Sequence, residues 1–268
     1  MTALAQHLVD SGLAGSVATP VASCVNNCRR LVAGDPDYTF GLSDWRHATY
    51  DDAVAALAAC GVTLVGDGAG AEDPGTTAFV DAAGAVAAVD SHRGVLAGLA
   101  AAGARVLLAT GHAFALLSHY SALARALESA GCTVLQPLEG QRDRLHTPDG
   151  EPCAIRYFDG VGTLVAHGTM LHTHRPDYME AMLEELGGPD HVDAVIGDHG
   201  FAGAAVEAGI RTLSIADVND PALPLAQATG KTDSVLVIDD GLVPSAYEPV
   251  SAAMVSGFSP PPRGRSGG

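Results

Sequence analysis

Lysine is nearly missing from this chain. Lys231 stands alone against thirteen arginines, and the formal net charge is -17. Such an acidic balance argues against nucleic acid or an anionic membrane surface as partner, because phosphates repel it. It does not exclude a small anionic substrate, since local cations decide that. Aromatic residues make up only 5% of the sequence, with a single tryptophan. No apolar run approaches the ~18 residues of a membrane span. The five cysteines, at 24, 28, 60, 132 and 153, are odd in number and irregular in spacing. Residues 1–20 lack a basic segment followed by a long apolar core. A cytoplasmic protein with reduced thiols is the expectation, and Cys24-x3-Cys28 is read as two small helix residues rather than a zinc pair. No Gly-x-Ser-x-Gly elbow occurs, and no cysteine stands beside a strand-end histidine, so nucleophilic serine or cysteine catalysis is disfavoured. Gly230-Lys231-Thr232 is not a phosphate loop, because Leu225 stands where its first glycine belongs. No Gly-x-Gly-x-x-Gly opens the unit at Arg105, which argues against a dinucleotide.

What the chain does have is strand and helix periodicity. Residues 2–14, 21–33, 51–60 and 81–102 have helical spacing, and Val62–Val65 is the one strand read in the first hundred residues. The expectation is a mainly helical part over 1–102, with a Gly/Asp/Glu-rich loop at 66–75. From Arg105 strands alternate with helices: strands at 105–109, 133–135, 193–196, 211–215 and 234–238, helices at 114–130, 177–186, 201–208 and 221–229. The segments 154–158 and 162–166, split by Asp159-Gly160, read as a β-hairpin insertion. Such alternation implies an α/β fold, with a mostly parallel sheet in Rossmann-like layers over 103–250. A single domain over 1–257 and a disordered tail over 258–268 complete the reading.

The chemistry-bearing residues gather where these strands end. Val106–Ala109 runs into Thr110-Gly111-His112, and Ala194–Ile196 into Gly197-Asp198-His199-Gly200. Leu213–Ile215 runs into Asp217-Val218-Asn219-Asp220, and Val235–Ile238 into Asp239-Asp240. Open α/β sheets bind ligands outside the carboxyl ends of their strands, so these signatures read as one site. His172-Thr173-His174 adds two imidazoles on one face of an extended segment, a spacing that grips a divalent ion. Asp220, before Pro221, reads as a helix cap. Asp239-Asp240 before Gly241 reads as turn chemistry. His119, inside a helix, reads as packing or facing solvent rather than as part of the site.

These motifs resemble an actinobacterial family labelled phosphatase. The resemblance runs from about residue 15 to 250. It rests on Thr110-Gly111-His112, Leu171-His172-Thr173-His174, Gly197–Ala205, Ala216–Leu223 and Ile238-Asp239-Asp240, with Asn26-Asn27 near the N-terminus. The chain departs from the family pattern after His112, where Ala113-Phe114-Ala115 replace Pro-Thr-Gly. It departs again after Pro20, where Val21-Ala22 replace Arg-Glu. The resemblance implies phosphomonoester hydrolysis on a small metabolite such as a sugar phosphate or histidinol phosphate. The residues imply a divalent metal (Mg, Mn or Zn) on His172, His174, Asp198 and His199, with Asp217 and Asn219 completing or orienting it. His112, Asp198, His199 and Asp217 are the catalytic candidates. Gly111, Asn26, Asn27, Asn219 and Lys231 are the substrate-binding ones. The rival readings are a catalytically silent ligand-binding or accessory protein and a metal-dependent C–N hydrolase.

Overall fold

The computed structural model describes residues 1–64, 75–141 and 144–258. Positions 66–74 of the expected loop, and the expected tail beyond Phe258, lie outside the described residues. The first half runs α1 (Ala3–Ser11), β1 (Gly15–Pro20), α2 (Val21–Val32), α3 (Pro36–Thr39), α4 (Tyr50–Ala59), β2 (Val62–Thr63), β3 (Thr77–Val80) and α5 (Ala82–Ala102). The second runs β4 (Arg105–Thr110), α6 (Ala113–Ser129), β5 (Thr133–Val134), β6 (Leu145–His146), β7 (Pro152–Phe158), β8 (Val161–Ala166), β9 (Thr169–Met170), α7 (Asp177–Glu185), β10 (Ala194–Asp198), α8 (His199–Glu207), β11 (Thr212–Ala216), α9 (Ala222–Ala228), β12 (Val235–Val237) and α10 (Glu248–Val255).

The longest helix shows how local chemistry sets the elements. Asp81 accepts from the backbone N–H groups of Ala83 and Gly84 at the start of α5. Gly103, at φ 60°, ends that helix in the left-handed region where a Cβ is costly. None of the described helices is long and apolar enough to cross a membrane.

The N-terminal part is mainly helical, but it holds more strand than the single one read there. It carries a three-stranded antiparallel sheet in the order β1-β3-β2. Gly15–Pro20 alternates buried and exposed residues, but Val17 is its one large apolar side chain and its partner β3 lies about sixty residues away. The pairing is therefore tertiary, with little local signal.

The main sheet is mixed. β12, β11, β10, β4 and β8 run parallel to one another, and β5 adds a further parallel pairing to β4. β8 then turns antiparallel onto β7, and β7 onto β6. Alternate residues of β4 feed two cores: Val106 and Leu108 pack with the N-terminal helices and α10, Leu107 and Ala109 with α7 and the hairpin. That is the two-residue strand period placing successive side chains on opposite faces. All five cysteines are free thiols, and burial pushes Cys24 and Cys28 up to about 12, which makes them inert packing groups.

Two further histidines are structural. His92 is buried in α5 and donates from Nε2 to the carbonyl of Ser234 at 2.9 Å. His119 packs rather than facing solvent: it is buried in α6 and donates from Nδ1 to Ser251 Oγ at 2.7 Å. Burial holds His92 neutral, down to about 4, and His119 down to about 3. Below the unfolded value of about 6.5 the unfolded chain takes up protons that folded His92 refuses. Its contribution is thus complete above pH ~6.5 and is lost as pH falls toward ~4, amounting to about 3 kcal/mol. His92→Gln keeps a donor for Ser234 and removes the titration. Urea unfolding across pH 4–6.5 should give a shallower decline for the variant, and parallel curves would refute the assignment.

Candidate active site

Strand register brings the motifs to one edge. Gly197 pairs with Ala109, Asp198 with Ile215 and Ala216 with Val237, all in parallel. The ends of β4, β10, β11 and β12 are therefore level, and their following residues line one cleft of about 630 Å³. The His172–His174 segment reaches the same edge by a different route. β8 runs on past the end of β4, β9 folds back on it, and the Thr173 N–H then donates to the Gly111 carbonyl at 3.0 Å. Thr173 is buried, and the two imidazoles on either side of it face the cleft.

Two glycines make that approach fit. A Cβ on Gly111 would stand 2.2 Å from the Thr173 carbonyl, and one on Gly200 would stand 2.3 Å from the His174 carbonyl. Only hydrogen at these positions lets the segment lie against the starts of α6 and α8. Phe40 closes the far side, with its ring edge-on to His174 and His199 at centroid separations of 5.2 and 5.4 Å. Gly203 allows this, because a Cβ there would stand 2.1 Å from the Phe40 carbonyl.

His172, His174 and His199 converge so that one ring nitrogen from each lies within 4.8 Å of the others. His174 and His199 are stacked at 4.6 Å. Two of the three tautomers are set by hydrogen bonds. His174 donates from Nδ1 to the Asp37 carbonyl at 2.7 Å, and His199 from Nδ1 to Asp198 Oδ1 at 2.8 Å. Each keeps Nε2 as its remaining nitrogen. Burial, reinforced by the neighbouring imidazoles, holds His172 and His174 neutral, down to about 4. Neutral imidazoles with fixed tautomers fit a divalent ion. His199 differs: burial opposes its charge, but the hydrogen bond and charge of Asp198, with Asp240 and Asp220, raise it to about 10. A cation there must displace a proton. The backbone of His199 is at φ 44°, a strained conformation of the kind stored at functional sites.

Asp198, a metal-ligand candidate, is fully buried and stands outside both groups of side chains spaced to share an ion. Its Oδ1 accepts from Gly111 N at 2.7 Å and from His199 Nδ1, and its Oδ2 accepts from Thr110 Oγ1 at 2.6 Å. It orients His199 and locks the turn after β4. The same bonds bear on Gly111 as a substrate-binding candidate, since backbone donors here are already engaged. The Gly111 N–H is taken by Asp198 and the His112 N–H by Thr110 Oγ1 at 3.0 Å. Lys231 is elsewhere: it pairs with Glu207 at 2.6 Å and Asp44 at 2.9 Å, and it lines a separate cavity with Gly209 and Arg211. It is removed as a phosphate ligand because both partners hold it away. His167 is exposed and faces Glu151, outside the cleft.

His112, Asp217 and Asn219 do line the cleft, together with Asn26 and Asn27. Asn27 Nδ2 donates to Asn219 Oδ1 at 2.8 Å, tying α2 to the loop after β11. Two residues that the sequence context reads as a helix cap and as turn chemistry also belong here. Asp220 does not cap α9. Its Oδ2 faces His199 Nε2 at 3.4 Å, and burial lifts its carboxyl to about 7. Asp240 faces both His112 and His199, at 3.2 and 3.6 Å. Its neighbour Asp239 makes the turn instead, accepting from Gly241 N at 3.0 Å. The doublet itself was the available signal, since one turn needs only one of its two carboxylates.

Comparison with known proteins gives concordant results. A family model described as Phosphatase matches residues 1–258. Phosphatase SCO2771 of Streptomyces coelicolor is 34% identical over 257 residues, which span 94% of this chain and 94% of that protein.

Proposed function

The chain belongs to this phosphatase family, and from that premise we propose that it is a phosphomonoesterase acting on a small phosphorylated metabolite with the help of a divalent metal. The observation that carries the reading is the convergence of His172, His174 and His199 at the carboxyl edge of the sheet. On this reading their three ring nitrogens hold the ion, and Asp198 keeps His199 in the ligating tautomer. A bound divalent ion supplies charge that polarises the phosphoryl oxygens and lowers the pKa of an attacking water. The remaining work belongs to the chain. The proton for the leaving alkoxide comes from a carboxyl lining the same cleft, Asp217 or Asp220. Asn27 and Asn219, held to each other, orient the non-reacting part of the substrate.

The test is a panel of sugar phosphates, amino-alcohol phosphates including histidinol phosphate, and a chromogenic aryl phosphate. Each is assayed with Mg, Mn, Zn or no added metal after chelation. Phosphate release that requires one of the ions and returns on its re-addition is the expected result. A well-folded protein that releases no phosphate with any ester and ion would remove the proposal. It would leave the ligand-binding reading that the Ala113-Phe114-Ala115 departure suggests.

A further inference from the structure

Two buried atoms on the cleft wall make no well-aligned hydrogen bond: His112 Nδ1, whose only facing acceptor is Asp240 Oδ1 at 3.2 Å, and Asp240 Oδ2. The Asp240 side chain is only 6% exposed. Burying such groups unsatisfied is costly, so they mark a place where a ligand belongs. The two oxygens of Asp240 face different imidazoles. Oδ1 lies 3.2 Å from His112 Nδ1, and Oδ2 lies 3.6 Å from His199 Nε2. Two ligand atoms each ~2.1 Å from a common ion stand roughly 3.0–3.6 Å apart. Each pair therefore has the spacing of neighbours on one ion. The two groups of side chains spaced to hold an ion, His172–His174–His199 and His112–His199–Asp240, share His199 alone. His199 has a single nitrogen to offer, its Nδ1 being committed to Asp198.

Charge points the same way. The cleft is lined by Asp217, Asp220, Asp239 and Asp240, and neither lysine nor arginine is among its lining residues. A phosphate monoester is itself an anion. One divalent ion on neutral histidines would leave it facing an uncompensated acidic wall, and a second reverses that field.

We propose that the cleft binds two divalent cations bridged by Asp240. Oδ2 joins the ion held by His172, His174 and His199, and Oδ1 joins a second ion shared with His112, on the side of Asp217 and Asp239. The proposal rests on the reading above that the histidine triad takes a divalent ion. A carboxylate bridge sets the two ions ~3.5–4 Å apart, as in two-metal phosphoryl-transfer sites.

The experiment uses the full chain, stripped with chelator, reloaded with Mn(II) and freed of excess by gel filtration. Metal content and low-temperature electron paramagnetic resonance are then recorded. Two manganese ions per chain with an exchange-coupled spectrum are expected. Asp240→Asn, isosteric and checked for folding by circular dichroism, should fall to one ion with an isolated six-line spectrum. His112→Gln, which leaves the bridge residue untouched, should also lose the second ion. One ion per chain in the unaltered protein, with a six-line spectrum that Asp240→Asn does not change, overturns the second site and leaves the histidine-triad reading standing. Two uncoupled ions retained in Asp240→Asn overturn the bridge. No bound manganese takes down both readings together.

Discussion

His174→Ala is expected to strip the histidine triad of its ion and to lower kcat for a phosphate ester by more than about 100-fold. Loss of groups that merely orient a metal ligand already costs 10–100-fold in affinity or activity, and His174 is placed to supply a ligand atom itself. Its ring stacks on His199 at 4.6 Å, its Nδ1 is engaged by the Asp37 carbonyl, and burial holds it neutral. The substitution removes a half-buried side chain from a segment whose backbone is fixed independently by the Thr173–Gly111 hydrogen bond. Global stability should therefore change little beside activity. The check is kcat and KM across a range of Mn and Zn concentrations, with metal content on the same samples. A variant that keeps its ion and its kcat would show that His174 only packs against His199 and Phe40.

Asp198→Ala should be the most destabilising single change at the site. Thr110 Oγ1, Gly111 N and His199 Nδ1 all donate to this one carboxylate, which has no exposed surface. Alanine would leave three buried donors without an acceptor and a buried imidazolium without its closest counter-charge. Breaking a buried, hydrogen-bonded pair costs about 3–5 kcal/mol, so Tm should fall by roughly 10 °C in a chain of this size. Asp198→Asn separates fold from chemistry. It keeps the shape and one acceptor oxygen, but its amide cannot replace both carboxylate oxygens. Stability should fall less, while metal affinity drops about 10–100-fold because the His199 tautomer is no longer fixed. A Tm for Asp198→Ala within a degree or two of the parent would contradict the network as described.

The αβ alternation after Arg105 was legible because each strand there is a short apolar run closed by glycine or a polar signature. Strands buried on both faces write themselves that way. β1 was not legible. Gly15–Pro20 carries only one large apolar side chain, Val17, and finds its partner at Thr77–Val80. At the site, strand-end placement correctly implied that residues 112, 199, 217 and 219 share one cleft. It could not say which way each side chain faces. Asp198 looked like a ligand and turns inward to Thr110, Gly111 and His199. Asp240 looked like half of a turn, and Asp239 is the residue that makes it. Lys231 looked like a free cation because Asp44 and Glu207, its partners, are distant along the chain.

The sequence by itself determined the α/β alternation, the strand-end clustering of His and Asp, and the pairing of His172 with His174 on one face. All of these follow from periodicity, which is a property of neighbours along the chain. Tertiary structure alone decided that Asp198 is tied to Thr110, Gly111 and His199, and that Asp240 stands between His112 and His199. These depend on strand register, on the glycine contacts at 111 and 200, and on burial. A few ångströms of side-chain direction separate a metal ligand from a hydrogen-bond anchor, and that distance is set by residues far apart in sequence.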